Sequence, residues 1–229
     1  MTVCGGWSLV SNDLRGTHAI TLWCRSWCCT DCAPYRVAGL KRLAMAGAPT
    51  TFITLTVNPH HGQNRQDRAR QLSDAWKIVV KRARRKFTKA PLEYLAVFEE
   101  TTKGEPHLHI LCRAPFIPQR WLSDQMNELI EAPVVDIRKV GTAKNAARYV
   151  AKYVGKGPKA FEALKRYWCS QGWNLEEPLE RRNVGDPHQS WVVWQEPLCV
   201  IRDILSQWGG QAVWINDNEI FLEAVPWRC

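Results

Sequence analysis

The chain has 229 residues, 45% hydrophobic and 23% charged, which suits a globular protein of one main domain with small additions and a real core. It contains no apolar run long enough to span a bilayer and no basic-then-apolar leader, so neither a membrane location nor export is expected. A formal net charge of +9 and a pI near 9.2 favour an anionic partner, nucleic acid first among them.

Without an export signal, the nine cysteines are expected to stay reduced. Five of the nine precede residue 33. Cys29-Thr30-Asp31-Cys32 has the two-residue gap of a zinc knuckle, and Cys24 precedes it at a spacing that admits a third ligand. Cys4, in Cys4-Gly5-Gly6-Trp7, offers a fourth ligand from a small loop, with Cys28 and His18 as alternatives. A tetrahedral zinc ion on Cys4, Cys24, Cys29 and Cys32 would staple an N-terminal region too poor in apolar residues to fold firmly alone.

Residues 33–46 read as a short helix with Leu40, Leu43 and Ala44 on one side, closed by Gly47 and Pro49. Residues 51–57 form the first core strand, with Phe52, Thr54 and Thr56 on one face and Ile53, Leu55 and Val57 on the other. After Asn58-Pro59 the longest helix runs over 65–87, its apolar positions Ala69, Leu72, Trp76, Val79, Val80, Ala83 and Phe87 following the helical period. Its other side is strongly basic, and Lys77, Lys81, Arg84 and Arg85 are candidate phosphate contacts.

Residues 92–113 read as a β-hairpin turning around Lys103-Gly104. Strand alternation turns His107 and His109 to one side and Leu108 to the other. On the outgoing strand, whichever of Glu99 and Glu100 shares that face would add a carboxylate. Two imidazoles and a carboxylate with open positions suit a divalent ion that must also hold substrate oxygens.

A helix over 118–130 and a strand over 132–140 lead to residues 144–156, KNAARYVAKYVGK. At the helical period Ala143, Ala147, Val150, Ala151 and Val154 make an apolar side, while Asn145, Tyr149, Lys152, Tyr153 and Lys156 share the other. Thr142 is placed to cap the start of this helix, and Gly157-Pro158 to end it. The two tyrosines stand one turn apart, each followed three residues later by a lysine. A phenol has a reference pKa near 10 and is a poor nucleophile, so it needs cationic neighbours and a polarised electrophile. Lys152 and Lys156 would supply the first, and an ion on His107, His109 and Glu99 the second. Beyond Gly157, Tyr167-Trp168 and Trp173 read as packing aromatics, residues 174–189 as a linker, 197–208 as a helix, and 212–224 as a small hairpin.

His107-Leu108-His109 and Tyr149-Val150-Ala151-Lys152 resemble the His-hydrophobic-His and Y-x-x-K motifs of the HUH superfamily of rolling-circle replication initiators. Tyr149-x-x-x-Tyr153 is similar to the two-tyrosine initiators of small single-stranded DNA phages. Thr54-Leu55-Thr56 followed by Pro59 resembles the first family motif, and Glu99, eight residues before His107, sits where many members carry the carboxylate of the metal site. Cys24-x-x-Trp27-x-Cys29-x-x-Cys32 resembles a segment that precedes the catalytic domain in many phage-type initiators, which leaves Cys28 spare.

The element order implies an α+β fold, a central antiparallel sheet of about five strands with flanking helices. The resemblance makes this an HUH, ferredoxin-like nuclease core over residues 49–175, after a cysteine-rich segment 1–48 and before a C-terminal extension 176–229 of unknown role. It implies a Mg²⁺- or Mn²⁺-dependent endonuclease and strand transferase that nicks and rejoins single-stranded origin DNA through a 5′-phosphotyrosine. Tyr149, Tyr153, Lys152 and Lys156 would be catalytic, with Asn145 and Arg148 on the DNA. Host helicase or polymerase would be further partners, in the cytoplasm of a bacterial host. The alternatives are a two-tyrosine transposase of the same superfamily and a non-catalytic, zinc-dependent DNA-binding protein.

Overall fold

Residues 4–13, 16–60, 62, 64–87, 92–142, 145, 161, 164–175, 191–207, 211–216 and 219–223 are described by the computed structural model. The chain divides into two units, Val37–Glu177 and the pair Met1–Arg36 with Pro178–Cys229. Helix α1 (Cys32–Ala46) begins in the second of these and ends in the first.

The unit Val37–Glu177 is built on strands β3 (Thr51–Thr56), β4 (Glu93–Glu100), β5 (Pro106–Arg113), β6 (Val135–Lys139) and β7 (Tyr167–Cys169). They form an antiparallel sheet in the order β6-β3-β5-β4-β7. The expected α+β architecture with a five-stranded antiparallel sheet is therefore present. β7 is the strand that the sequence pattern misses, because its three residues are too few for a period.

Alternation along these strands gives the sheet two unlike faces. On one, Ile53, Leu55, Ala96, Phe98, Leu108, Ile110 and Cys112 are buried with Ala69, Leu72, Trp76, Val79 and Val80 of helix α2 (Arg65–Lys86) and with Leu122, Met126 and Ile130 of helix α3 (Gln119–Ile130). Each fully buried aliphatic side chain stabilises this layer by about 1.5–3 kcal/mol. The other face carries Phe52, Thr54, Thr56, Leu95, Val97, Glu99, His107, His109 and Leu111.

Helix α2 starts where Asn64 accepts the Asp67 N–H at 2.9 Å, and stops where the Phe87 N–H bonds the Ala83 carbonyl. Its first turns hold the β4–β5 turn. Buried Arg68 makes two bonds of 2.8 and 2.9 Å to the Glu105 carboxylate, and Arg65 donates to the Lys103 carbonyl. Gly104 completes that turn at φ +81°, a left-handed conformation that selects glycine, and a Cβ there would also have to displace the Arg65 guanidinium. At the far end of the sheet Trp173 is fully buried, and its indole donates to the Leu43 carbonyl at 2.9 Å. Its ring covers Gly47 so closely that a Cβ at that position would overlap it.

The other unit holds a second antiparallel five-stranded sheet, in the order β8-β1-β2-β10-β9. Its strands are β1 (Trp7–Asp13), β2 (Gly16–Leu22), β8 (Trp191–Trp194), β9 (Gln211–Asn216) and β10 (Glu219–Glu223), and helix α4 (Leu198–Ser206) packs on it. Val10, Ala19, Leu198, Ile201 and Ile220 form its small core. The sequence pattern separates 1–48 from 176–229 and relies on a zinc ion to firm up the first. The grouping found here differs: β1 pairs with β8 and β2 with β10, so strands of both segments share one sheet, and Val10 and Ala19 share a core with Leu198, Ile201 and Ile220. No helix among the described residues is long and apolar enough to cross a membrane.

Candidate functional site

Register decides which carboxylate joins the histidines. Glu99 lies directly opposite His107 across β4 and β5, and opposed residues of an antiparallel pair share a face. Glu100 is opposite Pro106 and so belongs to the other face. Glu99 Oε2 stands 2.6 Å from His109 Nε2, and the ligand atoms of Glu99, His107 and His109 all lie within 4.8 Å of one another. Ligands bound side by side to one ion at about 2.1 Å are about 3 Å apart, so a small adjustment would bring all three onto a divalent ion.

The site is preorganised from beneath. His109 is buried and lies nearly parallel to the Phe52 ring, with centroids 5.5 Å apart. Its Nδ1 is 3.2 Å from the Thr54 hydroxyl, which faces it directly across β3 and β5. A hydroxyl both donates and accepts, so Thr54 can serve either tautomer: Nε2–H directed at Glu99, or Nδ1–H directed at Thr54 with Nε2 free to ligate. Burial, opposed by the Glu99 charge, holds the His107 pKa below that of an ordinary imidazole, which keeps its lone pair available at neutral pH. Thr54 belongs to the Thr-Leu-Thr motif and Phe52 to no motif, and neither is read from the sequence as a site residue, although strand alternation already puts them on one face.

Lys77, Lys81, Arg84 and Arg85 are on α2, which packs on the opposite face of the sheet. The sheet and the helix itself stand between them and the Glu99–His107–His109 set. Lys77 pairs with Asp74 at 2.7 Å, and Arg84 donates to the Leu92 carbonyl at 2.8 Å. A basic run on a helix does not reveal which side of the sheet the helix will cover, and here the run is turned away from the histidines.

Asn145 is in helical conformation, and its N–H bonds the Thr142 hydroxyl at 3.2 Å, the contact expected of an N-cap; the rest of the helix expected over 144–156 lies outside the described residues. Tyr149, Tyr153, Lys152, Lys156 and Arg148 lie outside the described residues.

A second cluster joins Cys4, Cys24, Cys29 and Cys32, with all four sulfur atoms within 4.8 Å of one another. Cys4 Sγ is 3.5 Å from that of Cys24 and 3.3 Å from that of Cys32, and the Cys24 and Cys32 sulfurs are 3.7 Å apart. Four thiolates at about 2.3 Å from a tetrahedral ion stand about 3.8 Å apart, so the geometry is compatible with metal binding. Backbone N–H groups of Ser26 and Cys32 point at the Cys24 and Cys29 sulfurs. The Ser26 N–H, then the Cys4 side chain, hold the Cys24 thiol down at about 7, whereas burial pushes the Cys32 thiol up, so the proton cost of ligation is unevenly shared among the four. Cys28 is exposed with its N–H on the Ser26 hydroxyl, and His18 lies in β2 with its ring 5.4 Å from Trp191. Neither joins the four sulfurs.

The fold and the site together define an α+β protein with a candidate centre of two histidines and one carboxylate on the face of the sheet opposite α2. Residues 50–158, just under half of the chain, match the model of a family of replication-associated proteins, those of the ORF2 and gene 2 protein type. The matched stretch runs from the start of β3 past the second tyrosine of the repeated motif. Comparison with curated proteins and with solved structures gives no match.

Proposed function

We propose that the chain is an HUH-type replication initiator that nicks single-stranded origin DNA through a tyrosine and later rejoins it. The observation that carries this reading is the convergence of Glu99, His107 and His109 on one sheet face, within a segment similar to replication-associated proteins. Glu99, His107 and His109 would hold Mg²⁺ or Mn²⁺. Such an ion, when bound, supplies Lewis acidity toward a non-bridging phosphate oxygen. The hydroxyl of Tyr149 or Tyr153 forms a bond to the scissile phosphorus, the P–O3′ bond breaks, and the 3′ oxygen leaves as a hydroxyl once protonated. Lys152 and Lys156 lower the phenol pKa and favour loss of its proton. The 5′-phosphotyrosine keeps the phosphodiester energy, so a later 3′-hydroxyl can reverse the step, and the second tyrosine can cut a regenerated origin. The partners are origin DNA and a host helicase or polymerase, in a bacterial cytoplasm.

The test is incubation with labelled single-stranded oligonucleotides and Mn²⁺ followed by denaturing electrophoresis. A labelled band at the mass of protein plus the 3′ fragment supports the reading. Salt-sensitive binding with no adduct would replace it with a non-catalytic DNA-binding role.

Thr54→Val is expected to weaken Mn²⁺ binding about 10- to 100-fold by freeing His109 to rotate, with little change in melting temperature. Calorimetric titration with Mn²⁺ checks this, and an unchanged affinity would remove Thr54 from the site.

The four cysteines would hold a structural Zn²⁺. The protein as purified is expected to carry one equivalent of zinc, released on acidification as protons compete for the thiolates, with melting of the unit that contains β1 and β2. Elemental analysis across pH checks this; a Cys24→Ser, Cys32→Ser variant that retains the zinc would contradict it.

A further inference from the structure

Beside the four cysteines is a cavity of about 300 Å³ lined by Trp23, Arg25, Cys32, Tyr35 and Arg36. Two aromatic residues and two arginines, with no carboxylate among the described lining residues, make an unusual lining for a structural knuckle. Tyr35 is 71% exposed, and its ring makes a tilted contact with that of Trp23, with centroids 6.2 Å apart at 43°, so the pair forms an aromatic platform with an open Tyr35 ring. The platform is fixed at its base. A Cβ at Gly5 would come within 3.1 Å of the Trp23 ring, which shows how closely the Cys4 loop packs under it. Arg36 sits over the Trp27 ring at 4.4 Å and donates to the Arg25 carbonyl, which ties together the loop that presents Arg25. Arg25 itself is exposed, at φ +50°, with its side chain on the cavity wall.

We propose that this pocket is a stacking site for an unpaired base of single-stranded nucleic acid, laid on the exposed Tyr35 ring beside Trp23 with its phosphate on Arg25. The platform supplies a π-face of the kind that stacks bases without sequence preference, and the arginines supply the charge that tracks a sugar–phosphate backbone. A protein partner would be expected to offer carboxylates to Arg25 and would not need an open aromatic ring. The site lies in a different unit from Glu99, His107 and His109, and it does not depend on their chemistry.

The experiment uses the full-length, zinc-containing protein with Tyr149 and Tyr153 both changed to phenylalanine, so that binding is read without strand cleavage. The probe is a thymidine 12-mer carrying one 5-iodouracil, irradiated and mapped by mass spectrometry. Crosslinks at Trp23 or Tyr35 are expected. Tyr35→Ala, at an exposed position that leaves the fold intact, should weaken binding about tenfold, and Tyr35→Trp should restore it. Arg25→Gln should lower the salt dependence by about one phosphate contact. Crosslinks confined to residues outside 23–36, an unchanged affinity of Tyr35→Ala, or a duplex of the same sequence binding as well as the single strand would each overturn the proposal. Adduct formation by the protein with both tyrosines intact is scored separately, so loss of the nicking reading and loss of the stacking site give different results.

Discussion

Changing Tyr149 and Tyr153 together to phenylalanine is expected to eliminate the protein–oligonucleotide adduct, a fall of about 10³-fold or more, while Mn²⁺ affinity and DNA binding stay near their starting values. The reason is chemical: phenylalanine keeps the ring and its packing but has no oxygen to bond to phosphorus. Each single variant should retain adduct formation on a simple substrate, because the Tyr149-x-x-x-Tyr153 spacing would set the two hydroxyls one helical turn apart beside Lys152 and Lys156. Denaturing electrophoresis of the three variants with labelled oligonucleotide distinguishes these outcomes. An adduct that survives in the double variant would sink the tyrosine chemistry, whereas a loss in only one single variant would assign that tyrosine as the first nucleophile.

His109→Ala should have the next largest effect, a drop of about 10²- to 10³-fold in metal-dependent cleavage, because it deletes a ligand and unsettles another. Glu99 is 9% exposed and its carboxylate is 2.6 Å from His109 Nε2, so the substitution also leaves a buried charge short of a partner. A stability loss of about 1–3 kcal/mol is therefore expected as well, and a melting curve measures it. His107→Ala separates the two effects. His107 is less buried than His109, so its loss should remove most of the activity with a smaller change in stability. Cleavage at the original rate in either variant, at saturating Mn²⁺, would refute the metal site.

Much of the unit Val37–Glu177 is legible in the sequence, because its elements are long enough for their periods to show. Seven apolar positions predict a helix over 65–87, and the helix found is Arg65–Lys86 with those positions buried, except for Phe87 at its cap. Lys103-Gly104 and its apolar flanks predict the hairpin, and the strands found are Glu93–Glu100 and Pro106–Arg113. The unit that contains β1 and β2 is not legible in this way. Its strands pair across the whole chain, Ser8 with Trp194 and Ala19 with Ile220, and a local pattern says nothing about a partner that far away.

The sequence alone determined that His107 and His109 point the same way, that Cys29 and Cys32 have ligand spacing, and that Thr142 can cap a helix. These follow from strand alternation, from the reach of a short loop and from cap geometry, all of which act over a few residues. Only the tertiary structure decided that Glu99 and not Glu100 faces the imidazoles, that Cys4 rather than His18 or Cys28 joins the other three cysteines, and that the basic helix covers the opposite face of the sheet from the histidines. Each of those depends on strand register or on the side of a sheet that a helix packs against. Register and packing are settled by burial of apolar surface between segments distant in the chain.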